Sequence, residues 1–507
     1  MSSLLERYAA QIVGVLSCFD RVIIQGTLAG IGYPKGMSRY LAAKNIRIFD
    51  FPRFAVSFRE LIRENAERIA QKHGVEIEFI RRLKAFRKED RVAEILKRRG
   101  QQPGLVHIFS AMEACTTFQP WHDKKTHTTR LQTRSGKCLH YYFYFIDPLF
   151  GLCYLRVPTW APFRLQFYFN GHSWLASQLA KRKIGFELVE NAFVDISDFA
   201  AAQQVADRLD VQPLHKALDH YVRLYCPVDA PFETDYHWSL MQVELATDIL
   251  FKDKQALAHL YDAIVRTAIH AVKAEDIAKF LGKKLTGLFR GELGTDFKTR
   301  LGMTRIKHYL GPASIKMYDK FGRILRIETT ANDVSFFKHH RKVEQKDGQI
   351  RFKVAPLKKT IYSLNPDLRG LLLAANHRYL AFVSVLDDPT QGAKALAKIA
   401  EPIRYQARPY RGFNLFAGPD LRLFEVITRG EFNISGFRNR DLRRHLPASN
   451  TGRICRSLKR LRLHGLIKRI GGSFKYYLTD LGRRVVIAAL HLKQTILLPK
   501  LAQPIAS

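Results

Sequence analysis

The chain has 507 residues, 82 of them Lys or Arg against 46 Asp or Glu, a formal net charge of +36. That surplus exceeds what an ordinary enzyme of small metabolites carries and fits a polyanionic partner, bound less tightly as salt reduces the gain from counterion release. At 47% hydrophobic and 11% aromatic the chain can fill several cores, yet no apolar run reaches the roughly 18 residues of a membrane-spanning helix.

The opening stretch, MSSLLERYAAQIVGVL, carries Glu6 and Arg7 early and lacks a cleavage pattern, so it reads as a helix and not a signal peptide. Phe19 to Gln25 is a strand candidate ending at Gly26. Helices are expected over Val56–Lys72 and Ala93–Arg99, with a strand over Val75–Ile80 between them. The run Arg81–Arg99 holds nine Lys or Arg and three acids around Leu83, Phe86, Val92, Ile95 and Leu96. It is a solvated amphipathic face or a phosphate-tracking helix. Tyr141–Ile146 and Leu152–Val157 form a hairpin across Asp147–Gly151, followed by a long helix from about Pro162 to Lys183. Within it Gly171 costs about 1 kcal/mol against alanine and marks a kink or a close approach. Trp238–Phe251 and Gln255–Val272 read as further helices.

From 302 to 330 the pattern switches to period two. Arg305, Lys307 and Tyr309 alternate with Ile306 and His308, Lys316 and Tyr318 with Ile315 and Met317, and Arg326 and Glu328 with Leu325 and Ile327. Such strands form a small sheet with one apolar side. The other face collects Arg305, Lys307, Tyr309, Lys316, Tyr318, Arg326 and Glu328: cations to follow a phosphate backbone and rings on which bases stack, a second nucleic-acid surface suited to single strands. The plainer reading is a solvated sheet with cross-strand Lys/Glu and Arg/Glu pairs. These patterns give an α+β, multidomain chain: a mixed α/β domain over 1–200, a helical region over 201–300, a small antiparallel sheet plus helices over 301–403, a linker over 404–418, and a basic domain over 419–507.

Between Cys115 and His172 lie many residues of catalytic type: Cys115, His122, Asp123, His127, Cys138, His140, Asp147, Cys153, Arg156, Asn170 and His172. Their gaps are irregular, with no paired ligand spacing, so no metal site is expected there. A functional reading sets His172 and Arg156 near a phosphate; a packing role is the alternative. A hydrolytic Mg²⁺ site needs two or three carboxylates together, and Asp20, Asp147 and Glu328 stand on or beside strands. The string SIKMYDKFGRILRIE resembles a Lys-Tyr-Asp-Lys and Arg-x-Glu strand pair of rolling-circle replication initiators. The resemblance implies a DNA-attacking tyrosine and a histidine-held metal, but the His-hydrophobe-His motif of that family does not occur. If the chain is an enzyme, the candidates are Tyr318, Glu328, Asp147 and His172, with a divalent metal; no cofactor is otherwise expected.

In the basic domain, Ile454, Leu458 and Leu461 form one stripe of a helix, while Arg453, Arg456 and Arg460 occupy another arc beside Lys459 and Arg462. Gly465 ends that helix. Leu466–Ile470 and Phe474–Thr479 are short strands about the turn Gly471-Gly472-Ser473, with Lys468, Arg469 and Lys475 nearby. Asp420–Arg429 and Arg440–Leu446 supply two preceding short helices. On SLKRLRLHGLIKR followed by YYLTDLGRRV, this stretch resembles the MarR-like winged helix-turn-helix family. The resemblance implies double-stranded DNA as partner, read by arginines in the major groove and by a wing on the backbone. The expected function is sequence-recognising transcription regulation. The alternative is a DNA-processing enzyme of mobile-element type (transposase, recombinase or replication initiator), and a third reading is RNA binding. Val485–Leu498, an apolar helix, either pairs two copies or packs against its own chain. Six cysteines without paired spacing point to a reducing compartment, the cytoplasm or nucleoid.

Overall fold

A computed structural model describes residues 3–81, 86–285, 289–300, 303–345, 347–387, 390–447, 449–471 and 473–502. Leu83 of the basic run and Gly472 of the C-terminal turn lie outside the described residues. The chain is α+β and divides into two compact units, Met1–Asp387 and Asp388–Ser507. No described helix is long and apolar enough to cross a membrane.

The first unit is organised by one sheet. Its strands are β1 (Ile12–Leu28), β2 (Ile77–Phe79), β3 (Gly104–Asp123), β4 (Thr128–Asp147), β5 (Gly151–Pro158) and β6 (Leu165–Asn170). After a separate hairpin, β7 (Phe186–Val189) and β8 (Ala192–Ile196), come β9 (Tyr236–Phe251), β10 (Leu293–Arg300), β11 (Met303–Leu310), β12 (Ala313–Lys320) and β13 (Ile324–Ala331). The sheet order is β10-β11-β12-β13-β9-β1-β6-β5-β4-β3-β2. Among the described residues, only β2 and β3 pair in parallel. The order repeats one plan twice: a long first strand (β1 or β9), a helical stretch, then an antiparallel meander whose last strand, β6 or β13, returns beside the first. The two first strands pair with each other at the centre. The divisions expected at 200 and 300 therefore run through a single sheet.

Alternation assigns the faces. Phe143, Phe145, Phe167 and Phe169 point into a core shared with the helices Phe51–His73, Val211–Tyr225, Lys254–Ala271 and Arg369–Asp387. Each such fully buried ring contributes about 1.5–3 kcal/mol. Tyr142 and Tyr144 point the other way, under the helix Lys88–Arg99 through Val92 and Leu96. β1 continues past Gly26 because Gly26 leaves room for Trp238 on the next strand; a Cβ there would stand 2.6 Å from that ring.

Two expected helices are strands. Trp238–Phe251 lies in β9, which is buried on both faces from Val243 to Phe251, so that half lacks the contrast between a wet and a dry face that betrays a strand. The helix expected from Pro162 begins only at Gly171; Leu165, Phe167 and Phe169 alternate with Gln166, Tyr168 and Asn170 in β6.

A two-stranded ribbon, β14 (Lys338–Glu344) and β15 (Ile350–Pro356), forms a separate sheet, its strands pairing only with each other among the described residues.

The second unit has its own core, including Ile399, Phe413, Leu421, Phe424, Leu442, Leu458 and Leu461. Here the 404–418 segment is not a free linker. It forms the hairpin β16 (Ile403–Tyr405) and β17 (Arg408–Tyr410), and Phe413 then enters the core. Helices Gly418–Ile427, Asn439–His445 and Thr451–Leu463 precede β18 (Ile467–Arg469) and β19 (Tyr476–Leu478), to which Phe437 adds a bridge at Tyr476. Gly465 takes φ +72°, and Leu466 N–H donates to the Leu461 carbonyl, closing the helix as a left-handed C-terminal residue does. The helix Asp480–His491 follows.

Candidate functional site

Three local devices gather polar side chains on the first unit's sheet. In β1 the ladder gains a residue between the pairs Phe19↔Leu245 and Val22↔Val243, a bulge that frees Asp20 from the regular alternation. At the end of β6, Asn170 caps the next helix, accepting from the backbone N–H of His172 and Ser173, and its amide donates to Asp20 Oδ1 at 2.8 Å. Gly171 is the close approach its sequence position implied: a Cβ would lie 2.1 Å from the Phe19 carbonyl oxygen. The turn between β7 and β8 brings Asn191, whose amide donates to both Asp20 oxygens and whose own oxygen accepts from Lys320.

Arg326 is the centre of the cluster and is fully buried. Its Nε and Nη2 hold Asp248 through two hydrogen bonds of 2.6 Å, Nη2 also donates to the Asn191 carbonyl, and Nη1 stands 3.6 Å from Asp20. His172 Nε2 lies 3.2 Å from Arg326 Nη2. The imidazole Nδ1 stands 3.4 Å from Asp20 and its Nε2 3.9 Å from Asp248, so the ring faces both carboxylates, which favour its protonated form against the cost of burial. Burial alone would raise both carboxyls. His172, Arg326 and Asn191 reverse this at Asp20, as Arg326 and His172 do at Asp248, holding both below the ordinary range.

Beside this pair lies a second. Lys316 Nζ donates to Glu328 Oε1 at 2.5 Å and reaches Glu244 Oε1 at 3.5 Å, while the Tyr318 hydroxyl donates to Glu328 Oε2 at 2.8 Å. Burial and the charge of Glu328 raise Glu244 despite Lys316. Burial, then Glu328, raises Tyr318, which disfavours its phenolate. One carboxylate oxygen from each of Asp20, Glu244 and Glu328 lies within 4.8 Å of the others, and among the described residues no other three His, Cys, Asp or Glu do so.

In the second unit, Asn450 caps the helix Thr451–Leu463 by accepting from Arg453 N–H. Ile454, Leu458 and Leu461 are buried, and Arg453, Arg456 and Arg462 are exposed. Arg440, Arg443 and Arg444, on the preceding helix, are exposed too, with Arg443 donating to Thr451. In the ribbon, Lys468 and Arg469 are exposed and Lys475 is half-buried. Arg469 donates to the Ser473 carbonyl and lies over the exposed Phe474 ring.

Compared with protein-family models, curated proteins and solved structures, the chain matches none. Its chemistry therefore rests on its own residues.

The sheet face expected from 302–330 exists, but it is not a solvated surface. Arg326 and Glu328 are buried and the half-buried Lys316 is tied up in ion pairs with Glu328 and Glu244, so all three leave the expected second nucleic-acid surface. Arg305, Lys307 and Tyr309 remain half-buried on β11. Of the four catalytic candidates, Tyr318, Glu328 and His172 belong to this cluster. Asp147 does not: it caps its hairpin turn, accepting from Leu149 and Phe150 N–H and from the Tyr221 hydroxyl. Arg156 is paired with Glu113 and Tyr142 and shares no partner with His172. Arg460, expected in the groove set, is also corrected. Its guanidinium grips Asp420 and the carbonyls of Arg411 and Gly412, because the segment before the domain folds over this end of the helix. Lys459 is drawn toward the rings of Tyr405 and Tyr410. Glu244, Asp248 and Asn191 escape a reading of the sequence. Glu244 and Asp248 are four residues apart, a spacing that shares a face in a helix and in a strand alike, so it carries no signal for strand.

Proposed function

We propose that the chain is a DNA-binding protein whose second unit is a winged helix-turn-helix, with Thr451–Leu463 entering the major groove as a sequence-reading helix and β18–β19 as the wing. The observation that carries this reading is the pair Arg453 and Arg456, exposed on a helix whose opposite stripe is locked into a core. Guanidinium forks suit guanine O6 and N7, and the arginines of the preceding helix suit flanking phosphates. The net charge of +36 supports a polyanion as partner. Transcription regulation is the simplest role for such a module. Exposed Ile487, Leu492 and Leu498 support pairing of two copies. In a binding assay over several duplex sequences, Arg456→Ala should lower discrimination by about 1–3 kcal/mol at one base pair, whereas Lys468→Ala should weaken all duplexes alike and reduce the salt slope by about one. Equal, sequence-independent losses from both would remove the groove assignment.

One observation favours a second reading, a DNA-processing enzyme. Asp20, Glu244, Asp248 and Glu328 form an inner set of four buried carboxylates, held by the buried Arg326 and the half-buried Lys316, and burial with the charge of Glu328 raises Glu244. A divalent cation taking the place of Lys316 between Asp20, Glu244 and Glu328 would meet oxygen ligands of the right kind for phosphodiester chemistry. Nicking of supercoiled plasmid should then require Mg²⁺ or Mn²⁺ and be lost in Glu244→Gln and Glu328→Gln. Tyr318→Phe separates tyrosine attack, which leaves a covalent protein–DNA adduct, from attack by water. Intact plasmid with both metals would dismiss this reading.

A further inference from the structure

The ribbon β14–β15 has no assigned role. It is rooted in the core by Phe337 and Leu357, joined by a backbone hydrogen bond, and by Ala355. Seven residues per strand give a reach of about 24 Å at 3.4 Å per residue. Between the strands, Gly348 turns the chain at φ +78° and Gln345 and Gln349 close the hairpin.

The register sorts the side chains by face. Lys338, His340, Lys342 and Glu344 stand opposite Pro356, Val354, Phe352 and Ile350, so these eight share one face. On it, Ile350, Phe352 and Val354 are 67%, 70% and 55% exposed. Three consecutive same-face apolar residues at that exposure are unusual on a soluble surface, where such patches mark contact sites. Beside them run the cations of Lys338 and Lys342, with Lys342 over the Phe352 ring. The other face is partly self-satisfied: Arg341 donates to the Pro356 and Lys342 carbonyls, Arg351 to Gln349, and Lys353 to Gln345. From Lys338 to Pro356 the sequence holds six Lys or Arg against two acids.

We infer that β14–β15 is a second duplex-DNA contact, a two-stranded ribbon that lies in a groove with Ile350, Phe352 and Val354 toward the base edges and Lys338 and Lys342 toward the phosphates. A two-stranded ribbon fits the major groove, whose thymine methyls accept apolar contacts. The excess of cations selects a polyanion over a second apolar protein surface. The inference rests on DNA being the partner in the proposed function, but on none of the second unit's residues.

The test uses the full chain and a labelled duplex of about 30 base pairs, with the affinity followed between roughly 50 and 200 mM salt. The double substitution Lys338→Gln/Lys342→Gln should weaken binding by roughly an order of magnitude and flatten the salt slope by about two, one for each phosphate no longer neutralised. Phe352→Trp should change its emission on adding the duplex. These positions are exposed, so unchanged thermal unfolding of the variants distinguishes weaker DNA binding from a damaged fold. Wild-type affinity and slope in the double variant, with no emission change, would overturn the inference while leaving the Arg456 result to judge the helix. A Lys338/Lys342 effect with an inert Arg456→Ala would keep the ribbon and dismiss the helix. If Phe352→Ser only shifts the sedimentation of the protein toward a smaller species, with DNA affinity intact, the ribbon is an interface between copies and the inference fails.

Discussion

Arg326→Met should destabilise the Met1–Asp387 unit by about 3–5 kcal/mol, the scale expected when one partner of a buried ion pair is removed. The guanidinium is wholly enclosed and faces both Asp248 and Asp20. Methionine fills much of its volume but leaves two buried carboxylates with only His172 and the Asn170 and Asn191 amides for relief. Asp248→Asn in the same chain should restore part of the loss, because the unpaired charge is then gone. The pH dependence follows from the direction of the shifts. Both carboxyls are held below their ordinary range, so the stability they contribute is present above that range and disappears as pH falls through their depressed values. Without Arg326 burial dominates, the carboxyls rise, and the variant should recover stability on acidification where the parent loses it. Urea unfolding at neutral pH and at pH values below the ordinary carboxylate range measures both effects. A loss below about 1 kcal/mol at neutral pH would mean that water, not Arg326, neutralises the pair.

Arg460→Ala should destabilise the Asp388–Ser507 unit by about 3 kcal/mol and lose duplex binding only as far as that unit unfolds. Arg460 makes four hydrogen bonds, two of them to the buried Asp420, and stacks on Phe413. Burial would raise the Asp420 carboxyl; Arg460 and the Asn414 N–H bring it below its usual value. The decisive companion is Asp420→Asn, which keeps the cation on the helix while breaking the same ion pair. If both variants lose stability together and bind normally when cooled below their unfolding transitions, Arg460 is an internal brace. If Arg460→Ala is stable yet blind to sequence, it belongs to the groove after all.

The second unit is the more legible in the sequence. A stripe at i, i+4 and i+7, a terminal glycine and two short strands are local signals, and the helix Thr451–Leu463 with β18 and β19 follows them within a few residues. Helical phase alone, however, puts Arg460 with Arg453, since seven residues make nearly two turns. What buries Arg460 is a segment nearly fifty residues earlier in the chain, which no periodicity reveals. The first unit is legible where a short hairpin joins strands of alternating character, as in β4 with β5 and β12 with β13. It is illegible at its centre. From Val243 onward β9 is covered on both sides, so this half has no wet face to mark it as a strand, and its acidic pair is compatible with either period. That Asp20 meets Glu244 and Glu328, and not Asp147, is hidden for a related reason: a bulge and a turn decide which carboxylates converge, and both depend on distant partners.

The central pairing of β1 with β9 joins residues as far apart as Ser17 and Thr247, separated by 230 positions. A ribosome adding about 5–20 residues per second needs roughly 10–50 s to supply that missing neighbour. During this interval β6 can already line one side of β1, while the opposite backbone edge waits uncovered and open to adventitious strand pairing. Assembly of the sheet is thus tied to the pace of translation, and the nascent first half is the form of this protein most in need of a chaperone.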